Sequence, residues 1–189
     1  MLHGIGKPVR RKEDRRLITG NGRYTADTTF PNQAYLVVCR APVAHARLNS
    51  VDTRIARAAE GVIAVFTAHE LMAGGEKNLP CVWPAINKDG TPMIEPDHPL
   101  LATSKMVYCG EPIAVVIAET RDLAKDAVEL IDVDYEELPA VVNASDAIKP
   151  GAPLVWEDAP GNIACDWAYG DKDATDAAFE NAAHIVEMD

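Results

Sequence analysis

The run Ile113-Ala114-Val115-Val116-Ile117-Ala118-Glu119-Thr120-Arg121-Asp122-Leu123-Ala124-Lys125-Asp126-Ala127-Val128-Glu129-Leu130-Ile131-Asp132-Val133-Asp134-Tyr135-Glu136 changes its periodicity twice. Its opening is apolar and rich in β-branched residues, which predicts a strand over 113–119. Thr120 then stands where a helix N-cap belongs. Leu123, Ala124, Ala127, Val128 and Ile131 follow at spacings of three and four, so a helix over 121–130 carries one apolar face. Asp122 in the first turn suits the positive end of the helix dipole. Residues 131–136 return to strand character, with Asp132 and Asp134 on one face and Val133 and Tyr135 on the other. Strand, helix and strand in succession predict a mixed α/β domain.

Working outward, Leu138-Pro139 ends this unit and 145–148 reads as one short turn. The Pro- and Gly-bearing stretch Lys149-Pro150-Gly151-Ala152-Pro153 reads as a linker. Upstream, 34–40 is an apolar run stopped by Ala41-Pro42, and 47–52 alternates as a half-buried strand does. A short helix over 53–60 has Thr53 as its N-cap and Gly61 as its stop. Strand character resumes at 62–66, and Thr67-Ala68-His69-Glu70 has the spacing of a capping box that opens another short helix. Residues 74–98, with Gly74-Gly75, four prolines and the Lys88-Asp89-Gly90 turn, form a surface loop whose Trp83 either touches a partner or anchors the loop. The closing stretch pairs a helix pattern near 170–179 with a strand-like 183–189 that has nothing to pair with, so the chain is expected to be the first part of something longer.

Composition narrows the function classes. The 189 residues are 48% hydrophobic and can bury a core. Their apolar runs are far too short to cross a bilayer, and the N-terminus lacks the order of a secretory signal, so a cytoplasmic location is expected. Residues 1–23 carry seven Lys or Arg against Glu13 and Asp14, a net +5, while the whole chain is −11, leaving −16 for the rest. An acidic body argues against nucleic acid or membrane as a partner. The basic arm is expected to dock on an acidic partner or on its own acidic body.

Side-chain chemistry is sparse. Cys39, Cys81, Cys109 and Cys165 lie too far apart for a zinc or iron–sulfur spacing, and Cys39 and Cys109 read as small buried hydrophobes. His98 sits in a loop and reads as solvent-exposed. His45 lies between strands and reads as buried and hydrogen-bonded. Gly20-Asn21-Gly22 lacks the third glycine and the preceding strand of a dinucleotide fingerprint and reads as a turn. The serines have no nucleophile-elbow context. No catalytic, cofactor-binding or metal-ligating residue is assigned. Arg10, Arg11 and Arg16 on the arm and the turn Gly110-Glu111-Pro112 are the candidate subunit contacts.

Several segments, in order, resemble the N-terminal region of the large subunit of the aerobic molybdenum hydroxylases, the family of carbon monoxide dehydrogenase, xanthine dehydrogenase and aldehyde oxidase. They are Ile5-Gly6-Lys7-Pro8-Val9-Arg10-Arg11-Lys12-Glu13-Asp14 with Leu17-Ile18-Thr19-Gly20-Asn21-Gly22-Arg23-Tyr24, then Arg40-Ala41-Pro42-Val43-Ala44-His45-Ala46-Arg47-Leu48. Tyr108-Cys109-Gly110-Glu111-Pro112-Ile113-Ala114-Val115-Val116, Val133-Asp134-Tyr135-Glu136-Glu137-Leu138-Pro139-Ala140-Val141-Val142 and Gly170-Asp171-Lys172-Asp173-Ala174-Thr175-Asp176-Ala177-Ala178-Phe179 complete the set. Arg15-Arg16, Ala41 and Asn143 depart from the family's usual residues.

The resemblance implies an extended basic arm over 1–29, an α/β hammerhead domain over 30–148, a linker over 149–160 and the start of a molybdopterin-binding domain over 161–189. It implies a noncatalytic portion that serves packing and subunit assembly and is inactive alone. The parent enzyme would oxidise its substrate with water-derived oxygen at a molybdenum–molybdopterin centre. That cofactor lies outside this chain, and the iron–sulfur clusters and FAD lie on other subunits or domains. Partners implied are the remainder of the large subunit, the iron–sulfur and FAD subunits, and a homodimer of the assembled enzyme. A stand-alone hammerhead module without enzymatic activity and one half of a split subunit are the other readings the residues leave open.

Overall fold

The computed structural model describes residues 5, 6 and 8–188. Along the chain come α1 (Asp14–Ile18), β1 (Tyr35–Arg40), β2 (Ala46–Asp52), α2 (Arg54–Ala58), β3 (Val62–Thr67), α3 (Ala68–Ala73) and β4 (Lys105–Met106). Then follow β5 (Pro112–Ala118), α4 (Arg121–Glu129), β6 (Asp132–Glu137), α5 (Ala144–Ala147) and α6 (Lys172–Glu180). Two three-stranded antiparallel sheets result, in the orders β1-β5-β3 and β4-β2-β6. The strand–helix–strand unit therefore does not close a single sheet: β5 is the centre of the first and β6 an edge of the second. Mixed helix and strand content is as expected.

The apolar face of α4 explains how the first sheet is buried. Ala124 and Ala127 are fully buried against Cys39, Val65, Ala114, Val116 and Ala118, with Leu123 and Val128 half-buried beside them. Two alanines let the helix approach the strands closely where bulkier residues would hold it off. Thr120 Oγ1 accepts from the Leu123 N–H at 3.2 Å, as a cap should. Gly61 adopts a positive φ of 70°, and a Cβ there would come within 2.5 Å of Leu123 Cδ1, so glycine both ends the α2 segment and admits the helix.

A second cluster joins Ala41, Ala46, Leu48, Ala102, Met106 and Ile113 around the other sheet. Val51 and Val133 pack against both clusters and make the two cores continuous. On β6 the exposed Asp132 and Asp134 and half-buried Val133 and Tyr135 alternate as their period requires.

Several local expectations need correction. The arm is not wholly extended, because Asp14–Ile18 is helical, with Asp14 in the first turn paired to Arg11 (2.8 Å) and Arg15 and Arg16 in the last turn. Thr53 offers no cap hydrogen bond to α2; its hydroxyl accepts from Arg57 Nε at 2.8 Å instead. Residues 183–188 form no strand, consistent with the absence of a partner among the described residues, and Asp189 lies outside them. Trp83 is 84% exposed, so it is not buried as a loop anchor would be. Cys39 is buried as expected, but Cys109 and Cys81 are exposed because each sits in a turn or loop beside, rather than within, a strand.

The 74–98 loop and the 149–166 stretch hold each other. Ile94 N–H donates to Ala164 O at 2.8 Å, Lys88 N–H to Asp166 O at 2.9 Å, and Asp166 N–H to Asn87 Oδ1 at 2.8 Å. Asn162 knots the second stretch, donating to Ala147 O and Pro153 O and accepting from the Val155 N–H at 2.9–3.0 Å.

Candidate functional site

The six sequence-level candidates fall in two places. Arg10, Arg11 and Arg16 are exposed on the arm, and the arm's hydrogen bonds and its one ion pair among the described residues stay within the arm. No hydrogen bond or ion pair among the described residues joins the arm to the acidic body. Val9, Ile18 and Tyr24 are exposed on the same segment.

Gly110, Glu111 and Pro112 enter β5. Gly110 has a positive φ of 89°, which turns the chain, and its carbonyl accepts from Arg40 Nη1 at 2.8 Å. The Glu111 backbone joins the end of β1 through its carbonyl, which accepts from the Ala41 N–H at 2.8 Å. Its side chain folds inward, only 6% of the residue being exposed, and Oε2 accepts from the Val107 N–H at 2.6 Å. Burial pushes the Glu111 carboxyl above its ordinary pKa; the Val107 and Tyr108 N–H groups and, weakly, His98 pull the other way without reversing it.

Glu111 lines a cleft of about 220 Å³ together with Lys105, Trp156, Asp97 and Asn78. Lys105 Nζ is spent elsewhere: it pairs with Glu157 at 2.6 Å, donates to Val155 O at 3.2 Å, and lies 5.9 Å from the Trp156 ring centroid. The lysine holds the Glu157 carboxyl below its ordinary pKa. Sequence reading missed this Lys105–Trp156–Glu157 clasp, since about fifty positions separate its partners and neither end carries a motif.

His45 is buried, as expected, with Nδ1 2.8 Å from Pro139 O; its Nε2 has no partner. The ring ties the chain after β6 to the start of β2, where the Leu138 N–H also donates to His45 O at 2.9 Å. His98 is exposed, as its loop position suggested. Among the described residues no three His, Cys, Asp or Glu side chains gather as metal ligands. No helix among them is long and apolar enough to cross a membrane.

The comparisons with known proteins place this geometry. The family described as aldehyde oxidase and xanthine dehydrogenase, a/b hammerhead domain, matches residues 19–139. The chain is 38% identical to the carbon monoxide dehydrogenase large chain of Hydrogenophaga pseudoflava over 99% of its own length and 23% of that protein's. It is 30% identical to the xanthine dehydrogenase of Oryza sativa subsp. japonica over 78% of this chain and 10% of that one. The structure of reconstituted CO dehydrogenase from Oligotropha carboxidovorans superposes with a TM-score of 0.71 at 34% identity, covering 96% of this chain and 23% of that one. The chain thus spans about a quarter of the carbon monoxide dehydrogenase large chains it matches. By the span of the family match and the two-sheet architecture beneath it, this chain belongs to the aldehyde oxidase and xanthine dehydrogenase family and corresponds to its α/β hammerhead region.

Proposed function

We propose that the chain is the noncatalytic hammerhead portion of a molybdenum-dependent hydroxylase large subunit, serving packing and subunit assembly. The observation that carries this reading is the continuous likeness to oxidoreductase large chains across nearly the whole sequence. The parent reaction would be oxidation of carbon monoxide, or hydroxylation of an aldehyde or heterocycle, with oxygen taken from water. The dispersed cysteines do not fit an iron–sulfur centre, which takes clustered Cys thiolates.

The division that goes with this reading is an arm over 1–29, the hammerhead over 30–148, a connector over 149–160 and the first segment of a molybdopterin-binding domain over 161–189. Arg10, Arg11 and Arg16 serve as contacts to an acidic surface of the assembled enzyme, in which the rest of the large subunit and the iron–sulfur and FAD subunits are the partners. The exposed apolar Val9 and Ile18 beside them support a buried role in that assembly.

Two measurements test the proposal. The purified 189-residue chain is expected to hold no molybdenum, and near-stoichiometric metal by elemental analysis would overturn the noncatalytic assignment. The coding frame, or a neighbouring one, is expected to supply a molybdopterin-binding polypeptide that co-purifies with this chain. Expression beside that polypeptide without any association favours the stand-alone module instead.

A further inference from the structure

The sheet β1-β5-β3 is apolar on both faces, and among the described residues only one of them is covered. The face under α4 carries Val37, Cys39, Val65, Ala114 and Val116. On the opposite face the register sets Leu36, Ile117 and Ala64 side by side, with Val38, Val115 and Phe66 as the next row. These two rows hold no polar side chain. None of the six packs against either hydrophobic core; Leu36 is 56% exposed and the other five are half-buried. An antiparallel sheet that meets water on one side alternates apolar and polar residues, whereas a sheet covered on both sides reads as a continuous apolar run. From Pro112 to Ala118, β5 is of the second kind.

We propose that this second face docks the molybdopterin-binding polypeptide of the same large subunit, so that the sheet becomes the middle layer between α4 and an apolar element of that polypeptide. This occupant rests on the parent-enzyme reading above and gives its assembly role a surface. Size and charge select it. Three strands about 4.8 Å apart and about six residues long give a footprint of roughly 300 Å². A separate protein partner buries about 800 Å² on each side of a stable complex. A second copy held by this face alone falls short of that area, and its net charge of −11 repels the first. A polypeptide of the same subunit has further apolar area to grip, since Trp167, Tyr169, Ile185 and Val186 are exposed on the 161–188 stretch. The carbon monoxide dehydrogenase large chains supply the length for such a layer, being matched over only 23% of theirs. Domains of one subunit cover each other's apolar faces through several small contacts at once, so a small face suffices.

Peptide-resolved maleimide labelling of Leu36→Cys, in the 189-residue chain alone and beside the molybdopterin-binding polypeptide supplied as a separate chain, tests the docking. The thiol introduced at position 36 is expected to react about tenfold more slowly, or slower still, in the assembly. Leu36→Glu alters the most exposed of the six positions, so the chain alone should unfold at the wild-type temperature while its association weakens about tenfold or more. If Leu36→Glu does not fold, the near-isosteric Val38→Thr carries the test and should weaken association about threefold. Equal labelling in chain and assembly, or unchanged association in the folded variants, would overturn the docking face and leave the parent-enzyme reading standing. Failure of the two polypeptides to associate at all would overturn that reading and this occupant with it. Sedimentation in which the wild-type chain dimerises and Leu36→Glu does not would give the face to a second copy and so overturn the proposal.

Discussion

Glu111 and Glu70 show how a single carboxylate sets the sign of a pH effect. Burial raises the folded-state pKa of Glu111, so the folded chain holds that proton to higher pH than the unfolded chain does. Its contribution is fully present below the ordinary glutamate value of about 4.3 and is lost as pH rises through the folded value. Glu70 behaves oppositely. Burial pushes its carboxyl up, but the Thr67 hydroxyl and N–H and the Arg57 guanidinium outweigh that and leave it lowered. Its contribution is present above the ordinary value and is lost as pH falls. Chemical denaturation of wild type and Glu111→Gln across pH 4–7 isolates the first effect: the stability of the wild type relative to the variant should fall as pH rises. A constant difference would mean that Glu111 is not desolvated in solution. The Thr67–Glu70 pairing was legible as a capping-box spacing, whereas the burial of Glu111 was not, because Gly110-Glu111-Pro112 reads as an ordinary strand-entry turn. The inward fold of the side chain depends on the Val107 N–H and on the wall supplied by Trp156, forty-five positions away.

The β5–α4–β6 unit was the most legible part, because its apolar spacing and cap residue act locally and agree with the tertiary packing. Its sheet assignment was not legible, since periodicity shows which face is buried but not which strand lies alongside. The helix offers two measurements of that packing. Ala127→Leu inserts a larger side chain where α4 meets the strands and should cost about 1–3 kcal/mol in denaturant unfolding. Thr120→Ala removes the acceptor for the Leu123 N–H and should cost about 1 kcal/mol. A neutral Ala127→Leu would mean that the helix stands off the sheet. The 183–188 stretch shows the reverse case, where local alternation is present but a strand does not form without a neighbour.

At the scale of the whole molecule, the 149–166 stretch reads as a linker by composition yet is held to the body by the Lys105–Glu157 pair, the Asn162 knot and the backbone bonds to the 85–94 turn. Limited chymotrypsin digestion should therefore cut first at the exposed Tyr24 and Tyr169, leaving the half-buried Trp156 intact, as SDS gels and mass spectrometry would show. Asn162→Ala should make Trp156 an early site. Early cleavage at Trp156 in the wild type would show the connector to be free. The same separation in sequence governs how the chain is made. β1 pairs only with β5, and β2 finds its long partner only in β6, so the first half of the chain presents apolar strands with no sheet to join. At 5–20 residues per second, roughly ten seconds of synthesis pass between the emergence of β1 and that of its partner. During that interval Val37, Val51 and Val65 stay uncovered on the nascent chain, and only the arrival of α4 and β6 completes the core that buries them.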